Sequence, residues 1–261
     1  MNYTICKTDF DGMEPLFQQY KKTLSGVCDD FWEDHIIGAD LCVIIMDEHP
    51  IGYFAVYEET KLTQFFLSGE YHNLAQTVFQ RVLAEYSIQT AFVATCDELF
   101  LSLCLDFHRS VKPQAYFFDG SFPHEVRPPE FERSCLLPVF PGELAEVKEA
   151  SGDFFDHVTL DDLLCKRTML YRLRENGETL GFGIVVPGKL LKQYASVGMI
   201  TLAQYRRRGV GRSIQLHLAD LCRENGLIPI SGCWYRNENS KRTIESAGRY
   251  SKTRLLNVSF K

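Results

Sequence analysis

The sequence lacks the features that mark several large classes of protein. No apolar run approaches the roughly 20 residues that are needed to span a bilayer. The first ten residues include Lys7 and Asp9 and contain no apolar core of a signal peptide. We therefore expect a cytoplasmic protein with no membrane partner. Its 45% hydrophobic and 24% charged residues are ordinary for a globular chain, which excludes long disordered or low-complexity segments.

Paired cysteines are missing as well. The nine cysteines are an odd number, and no two of them have the C-x-x-C spacing. A disulfide framework is not expected without a secretion signal, and a zinc site needs ligands clustered at short spacing. We expect no metal, and we expect free thiols that pack as small apolar groups in a reducing compartment.

Charge is distributed unevenly along the chain. Residues 1–122 have a net charge of −11, and residues 123–261 have a net charge of +5. A basic half suits an anionic ligand, whereas an acidic half repels the phosphates of a nucleic acid, so we expect no broad nucleic-acid interface. Prolines and glycines are densest between residues 117 and 140. They predict a linker near residue 122 and two domains, 1–122 and 123–261.

The second half has a clear order of elements. Asn176-Gly177 lies between two apolar runs and predicts a β-hairpin, because both turn residues accept positive φ. Apolar residues at helical spacing predict an amphipathic helix over 210–224. The remaining patterns predict strands over 194–202, 228–235 and 254–260 and a helix over 238–247.

The first half repeats this order of strands and helices. From the amphipathic helix onward, corresponding elements keep a nearly constant offset along the chain. This regularity indicates an internal duplication, although two unrelated α/β halves would also give such an alternation. Either arrangement predicts an α+β fold in which each half forms a mixed sheet covered by helices.

One segment carries most of the chemistry, and it joins a predicted strand to the amphipathic helix. It reads LAQYRRRGVGR over residues 202–212. Gly209 and Gly211 permit a tight turn and a close approach of the backbone to a ligand. The first turn of the helix offers unpaired N–H groups and a partial positive charge. The four arginines of the segment add charge, so it predicts an anion pocket, most naturally for phosphate.

Two well-known phosphate loops are excluded by what this segment lacks. It has no Lys-Ser or Lys-Thr pair of a nucleoside-triphosphate loop, and it has two glycines where a dinucleotide fingerprint needs three. A patch for a nucleic-acid or phosphorylated partner stays open, although no aromatic stacking platform accompanies the arginines.

The pattern Arg206-x-x-Gly209-x-Gly211, after a strand and opening a helix, resembles the acyl-CoA pyrophosphate loop of the GNAT N-acetyltransferase superfamily. Asn237 and Gly248 resemble the family's later segment. The resemblance covers about residues 130–261, and it extends to residues 40–119 only as an order of elements. It implies two GNAT-like domains, each with a mixed, mostly antiparallel sheet flanked by helices.

The resemblance also implies acetyl-CoA as the cofactor and a set of residues that contact it. The backbone of Ile200 and Leu202 would pair with the pantetheine arm, the loop would hold the pyrophosphate, and Asn237 would lie near the sulfur end. The full set is Ile200, Leu202, Arg206, Arg207, Arg208, Gly209, Val210, Gly211, Arg212, Ser213, Asn237 and Ser240.

The implied activity is direct transfer of an acetyl group from CoA to a primary amine of a small molecule or peptide. The family's frequent tyrosine acid is replaced here by Ile244, so Tyr235 and Tyr250 are the candidate acids. An inactive acyl-CoA-binding sensor is the alternative. In the first half, Ser68-Gly69-Glu70 occupies the place of the loop and has no arginine, which predicts a degenerate copy without the cofactor loop.

Overall fold

The computed structural model describes residues 3–122 and 126–260, and these form two compact units. Unit 1 contains the chain up to Tyr116 together with the last nine residues, from Thr253 onward. Unit 2 contains the residues between them, Phe117–Lys252. The division therefore falls inside a strand, and residue 123, the expected first residue of the second domain, lies outside the described residues.

Unit 1 alternates strands and helices in chain order. Its elements are β1 (Tyr3–Thr8), α1 (Phe10–Thr23), α2 (Asp30–Ile37), β2 (Asp40–Met46), β3 (His49–Tyr57), β4 (Lys61–Leu67), α3 (Ala75–Glu85), β5 (Thr90–Ala94), α4 (Glu98–Phe107) and β6 (His108–Phe118). A 3-10 turn, Gly69–Leu74, leads from β4 into α3.

Unit 2 has the same alternation after two short segments. Its elements are β7 (Gly120–Ser121), β8 (Leu136–Pro138), α5 (Leu144–Ser151), α6 (Leu160–Leu164), β9 (Met169–Glu175), β10 (Glu178–Pro187), β11 (Tyr194–Thr201), α7 (Val210–Glu224), β12 (Ile228–Trp234), α8 (Glu238–Ser246) and β13 (Arg249–Tyr250). Three-residue 3-10 turns at Arg133–Cys135, Pro141–Glu143 and Ala203–Tyr205 and a four-residue one at Gly152–Phe155 complete it. The final strand, β14 (Thr253–Phe260), belongs to unit 1.

The sheet of unit 1 has the strand order β1-β2-β3-β4-β5-β14-β6. Its neighbours among β1 to β4 are antiparallel, β4 and β5 are parallel, and β14 is antiparallel to β5. Successive strand residues point to opposite faces, so Phe54 packs on Tyr86 at the end of α3 while Tyr53 packs on Tyr20 of α1. Helices therefore cover both faces of this sheet.

The sheet of unit 2 has the strand order β12-β11-β10-β9-β8, with a parallel pair β11-β12 and antiparallel pairs elsewhere. Val210, Ile214 and Leu218 of α7 enter the core on one face. Val147 of α5 and Phe155 form a second core with Phe182 and its neighbours on the other face. The α+β class and the mostly antiparallel, helix-flanked sheets predicted from the sequence are confirmed.

The last strand corrects the expected domain limits. The sequence places residues 254–260 in the second domain, but β14 pairs with β5 of unit 1, with Leu255 opposite Ala94. Val258 and Phe260 are buried in the core of unit 1, where the Phe260 ring lies 6.0 Å from that of Phe79. A local pattern predicts a strand but does not name its partner, so the expected limit was wrong at this end.

The turn chemistry of the sequence is present in the backbone. Asn176 and Gly177 both have positive φ, at 50° and 84°, and they join β9 to β10 as an antiparallel hairpin. Among the described residues no helix is long and apolar enough to cross a membrane. Within the same residues, no group of three or more histidine, cysteine or acidic side chains could hold a metal ion.

Candidate functional site

The two parallel strands of unit 2 separate soon after they begin. β11 and β12 pair at three positions, from Tyr194↔Ile228 to Ser196↔Ile230. Beyond these positions β11 continues to Thr201 and β12 to Trp234 without pairing to each other. The separation leaves one edge of β11 with backbone groups that face a gap. Such an edge can pair with an extended ligand.

Alternation along β11 decides which residues face the gap. The amide of Leu202 donates to the carbonyl of Leu180 at 3.1 Å, and the carbonyl of Ile200 lies against Gly181 of β10. In an antiparallel pair both backbone groups of a residue point the same way and alternate along the strand. Ile200 and Leu202 therefore face β10, which corrects the expectation that they meet the pantetheine arm. Met199 and Thr201 face the gap.

A side chain bridges the gap at its closed end. Gln215 of α7 is buried, and its amide nitrogen approaches the carbonyl oxygen of Val197 and the sulfur of Met199, both at 3.5 Å. Its amide oxygen accepts a hydrogen bond from the hydroxyl of Ser231 at 3.2 Å. Gln215 thus spans β11 and β12 where they begin to diverge. Sequence reasoning missed this residue because it carries no motif of its own.

The glycine loop sits at the open end of this edge. Gly209 has φ 79° and immediately precedes α7, a helix of 15 residues with no side-chain cap. Arg207 also has positive φ, at 62°. A Cβ on Gly211 would lie 2.9 Å from Cγ2 of Thr243 and 3.1 Å from Oγ1 of Thr201, closer than side chains normally approach. Gly209 is therefore needed for the turn, and Gly211 is needed for the close packing of α7 against Thr243 and Thr201. The first N–H groups of α7 have no partner within the helix.

Three arginines precede the helix and are exposed. The guanidinium of Arg208 lies over the ring of Tyr205, 5.5 Å from its centroid. The hydroxyl of Tyr205 donates to Glu178 at 2.8 Å, and this contact raises the pKa of the tyrosine. Arg206 and Arg207 make no ion pair among the described residues, so their charges are available to an anion.

The fourth arginine is already engaged. Arg212 forms an ion pair with Glu130 and also donates to the carbonyl of Pro128 at 3.2 Å. Arg127 pairs with the same carboxylate at 3.1 Å, and Glu130 lies directly against Gly209. No local pattern indicates that a residue some eighty positions upstream contacts the loop.

Ser213 is fully buried, and its hydroxyl accepts hydrogen bonds from the amides of Glu130 and Phe131, at 3.0 and 3.3 Å. Its own amide donates to Gly209 within the helix. Val210 is buried in the core. Ser213 therefore fastens the segment before β8 to α7 and offers no group to a ligand, contrary to the expectation for this position.

Asn237 begins α8. Its side-chain oxygen accepts a hydrogen bond from the amide of Ser240 at 3.1 Å, which is the usual role of an N-cap residue. Both residues follow the free end of β12, as the sequence predicts. The nearby Cys233 is buried, and burial raises the pKa of its thiol to about 11.

The two candidate tyrosine acids have different surroundings. Tyr250 pairs with Gly120 through β13 and β7, its ring covers that glycine, and it stacks with Phe122 at an interplanar angle of 9°. These contacts give Tyr250 a packing role. Tyr235 follows directly on the free end of β12 and is half-buried. Ile244 is buried, so it holds α8 in place.

Arg249 follows Gly248 and is buried. It donates to the carbonyl oxygens of Phe118, at 3.0 Å, and Pro229. Burial lowers the pKa of its guanidinium to about 10. Its hydrogen bonds hold two backbone segments of unit 2 together, so its role is structural.

Unit 1 contains a matching gap with different chemistry. β4 and β5 pair only at Lys61↔Thr90 and Leu62↔Ala91 and then separate. A 3-10 turn follows β4, and its Gly69 has no atom within 4 Å of an added Cβ. Asp97 caps α4 as Asn237 caps α8, but it is buried and accepts a hydrogen bond from Tyr20 at 2.8 Å. Burial raises the pKa of Asp97 to about 7.

Comparison with known proteins agrees with this fold. Residues 9–121 match the acetyltransferase (GNAT) domain family. The match covers somewhat less than half of the chain. The match falls largely on unit 1, whereas the cofactor-loop resemblance belongs to unit 2. The resemblance to the GNAT superfamily is therefore confirmed, and the match supports an acyltransferase in general terms. No curated protein matches the chain.

Solved structures extend the GNAT fold over both units. A GNAT-family acetyltransferase from Colwellia psychrerythraea has a TM-score of 0.85 at 19% identity, covering 99% of this chain and 100% of that one. A GCN5-related N-acetyltransferase from Sphaerobacter thermophilus gives 0.65 at 11%, covering 99% and 95%. A tandem GNAT protein from the clavulanic acid biosynthesis pathway gives 0.59 at 12%, covering 98% of each chain. The last of these is described as a tandem GNAT protein, and its fold resembles that of both units of this chain.

Proposed function

We propose that unit 2 binds acetyl-CoA and that the chain transfers the acetyl group to a primary amine of a small molecule or peptide. The observation that carries this proposal is the juxtaposition of two features. The uncapped N-terminus of α7, introduced by Gly209 in the left-handed conformation, follows directly on the unpaired edge of β11. The first suits a pyrophosphate, and the second suits an extended amide-bearing arm.

The described residues fit this cofactor with a revised set of contacts. Backbone groups of Met199 and Thr201 would pair with the pantetheine arm, because they face the gap. Amides of the loop up to Arg212 would hold the pyrophosphate, with charge from the exposed Arg206 and Arg207. Asn237 and Ser240 would border the sulfur end, since they follow β12.

Acetyl-CoA supplies an acyl group activated as a thioester. The chain's part is to place an amine beside it and to keep that amine deprotonated. A relay through Cys233 is disfavoured, because burial raises its pKa to about 11 and keeps the thiol protonated near neutral pH. Direct transfer within one complex fits these residues better. Tyr235, beside the end of β12, is the candidate proton donor.

A second function is supported by one observation. The family's tyrosine position holds the buried Ile244, and Tyr250 is packed over Gly120. A unit that binds acyl-CoA but transfers nothing, acting as a sensor, would have these features. The two functions differ in a single measurement, which is whether any amine is acetylated when the cofactor is bound.

Calorimetric titration of the full chain with acetyl-CoA and with free CoA tests the proposal. We expect binding that weakens with salt and that falls about tenfold or more in the double variant Arg206→Gln, Arg207→Gln, because two charge-assisted contacts are lost. Arg223→Gln is the matched control, since Arg223 is exposed on the last turn of the same helix and pairs with Asp220. Equal losses in both, or no binding by the unmodified chain, would refute the cofactor assignment.

A thiol-release assay with a panel of primary amines follows the titration. Release of free CoA that depends on the amine supports transfer. Tight binding without release for every amine supports the sensor instead.

A further inference from the structure

Unit 1 has a cavity at the position that corresponds to the cofactor gap of unit 2. Its volume is about 330 Å³, and it is lined by β4, the 3-10 turn after it, the last residue of α1 and the first turns of α4. Phe65 and Phe66 are neighbours on β4 and point to opposite faces of the sheet. A cavity that touches both lies at the strand's edge. β3 occupies the other edge, through Phe54↔Phe65 and Tyr53↔Phe66, so the cavity lies on the side where β4 and β5 separate.

Three polar side chains of the lining donate a hydrogen bond to a neighbouring backbone carbonyl oxygen. The hydroxyl of Thr23 donates to Tyr20 at 2.7 Å, and that of Ser102 donates to Glu98 at 2.7 Å. The ring nitrogen Nε2 of His72 lies 3.1 Å from the carbonyl oxygen of Leu67, which can only accept, so this nitrogen carries the proton.

The remaining polar group of the lining is an acceptor by nature. The carboxylate of Glu98 has no proton to donate at neutral pH, and one of its oxygens accepts from the hydroxyl of Ser25 at 2.6 Å. Among the residues that the structure describes, no lysine or arginine lines the cavity. The lining therefore presents hydrogen-bond acceptors, one negative charge and the apolar surface of Phe65, Phe66 and Leu99.

A ligand that complements this lining must bring donors, a positive charge and a short apolar part. A primary ammonium group has three donors and no acceptor. We propose that the cavity of unit 1 binds a small primary alkylammonium ion, with its ammonium at Glu98 and its alkyl chain against Phe65 and Phe66. This site is separate from the arginine loop, and the proposal does not depend on acetyl-CoA binding to unit 2.

The choice of an ammonium over a phosphate follows from the loop that replaces the glycine turn. The turn Gly69–Leu74 contains the acidic Glu70 and no arginine, and none of its residues is buried. It has no lysine or arginine to offer an anion. The cavity and the arginine loop thus occupy equivalent places in the two units and favour ligands of opposite sign.

Titration of the full chain with n-butylammonium chloride tests the proposal, with 1-butanol and sodium butyrate as neutral and anionic analogues. We expect saturable binding of n-butylammonium in the millimolar range or tighter, and no saturable binding of either analogue, because only the ammonium satisfies Glu98. Glu98→Gln should weaken it about tenfold or more, since the charge is lost. Glu70→Gln removes the same charge from an exposed neighbouring turn outside the cavity and should leave binding unchanged.

Ser102→Leu provides a second variant that does not depend on charge. Ser102 is exposed on α4, so a leucine there should fold and should fill part of the cavity. We expect it to abolish n-butylammonium binding while the melting temperature stays close to that of the unmodified chain. Equal binding of butyrate and n-butylammonium, or unchanged binding in both Glu98→Gln and Ser102→Leu, would overturn the proposal. Failure of acetyl-CoA to bind would leave it intact, because the two titrations use different ligands.

Discussion

The two units share a frame, by which we mean the same order of strands and helices around one parallel pair of strands. They differ in the hydrogen-bonding groups and charges that lie where this pair separates. In each, a parallel pair of strands separates after two or three paired positions, and the helix after the second strand is capped by a short polar side chain. In unit 2 the groups at the open end of the gap are the first N–H groups of α7 and exposed arginines, all of which donate hydrogen bonds. In unit 1 it ends in a cavity lined by acceptors. The same order of elements can therefore present donors in one unit and acceptors in the other.

The difference in the loops is a difference of backbone conformation as well as charge. Gly209 adopts φ 79°, which a side chain tolerates poorly, whereas Gly69 is neither in the left-handed region nor close to any neighbouring atom. A glycine is required at the first position and merely present at the second. Substituting each in turn measures how far the two loops have diverged.

Gly209→Val should have the largest effect of any single change. A valine at φ 79° is strained, and its Cβ would collide with the carboxylate of Glu130. The turn that aims the first N–H groups of α7 would be lost. We expect a loss of CoA affinity of about 100-fold or more, measured by titration calorimetry.

Gly69→Val is the control for this change. It adds the same side chain at the corresponding loop of unit 1, where nothing lies within 4 Å. CoA affinity should not change. If Gly69→Val weakened CoA binding as much as Gly209→Val, the cofactor would lie in unit 1 and the reading of that unit as a copy without a cofactor loop would be wrong.

The two helix caps predict a difference in pH dependence. Burial raises the pKa of Asp97 to about 7, from 3.8. In the unfolded chain this carboxyl is ionised above pH 4, whereas in the folded chain it keeps its proton until about pH 7. The contribution of Asp97 to the free energy of unfolding is therefore largest below pH 4. It is lost as the pH rises toward 7, at up to about 1.4 kcal/mol per pH unit.

Asp97→Asn should remove that dependence, because asparagine also caps a helix and does not ionise. Relative to the unmodified chain, the variant should gain on the order of 2–4 kcal/mol of unfolding free energy between pH 4 and 7.5. Denaturant unfolding at several pH values measures this. Asn237→Asp places a carboxyl at the equivalent, exposed cap of unit 2 and should give no comparable slope. Parallel slopes for the unmodified chain and Asp97→Asn would show that Asp97 is ionised in the folded state.

Much of this frame could be predicted from the sequence. The hairpin at Asn176-Gly177, the amphipathic helix α7 and the glycine turn before it all follow from local rules of backbone conformation and periodicity. The structure places each of them where the pattern indicates. These features depend on neighbours in the chain, which a single sequence contains in full.

The remainder depends on contacts between distant segments. The pairing of β11 with β10 decides which alternate residues of β11 direct their backbone groups toward the gap. These are Met199 and Thr201, and not Ile200 and Leu202 as the sequence led us to expect. β14 finds its partner in unit 1. Glu130 reaches the loop across more than seventy residues of chain. No local pattern encodes such pairings, and a shift of one residue in a strand reverses which groups face a ligand.

Ser213→Ala should have the smallest effect on CoA affinity. It distinguishes a role inferred from the local sequence pattern from a role inferred from contacts between distant segments. Read as part of a phosphate loop, its hydroxyl would contact the cofactor. In the structure it accepts from the amides of Glu130 and Phe131 and is fully buried. Ser213→Ala should therefore cost about 1–3 kcal/mol of stability, because two buried amides lose their acceptor, and should leave CoA affinity within about twofold. The opposite outcome, unchanged melting and weaker CoA binding, would return Ser213 to the cofactor site.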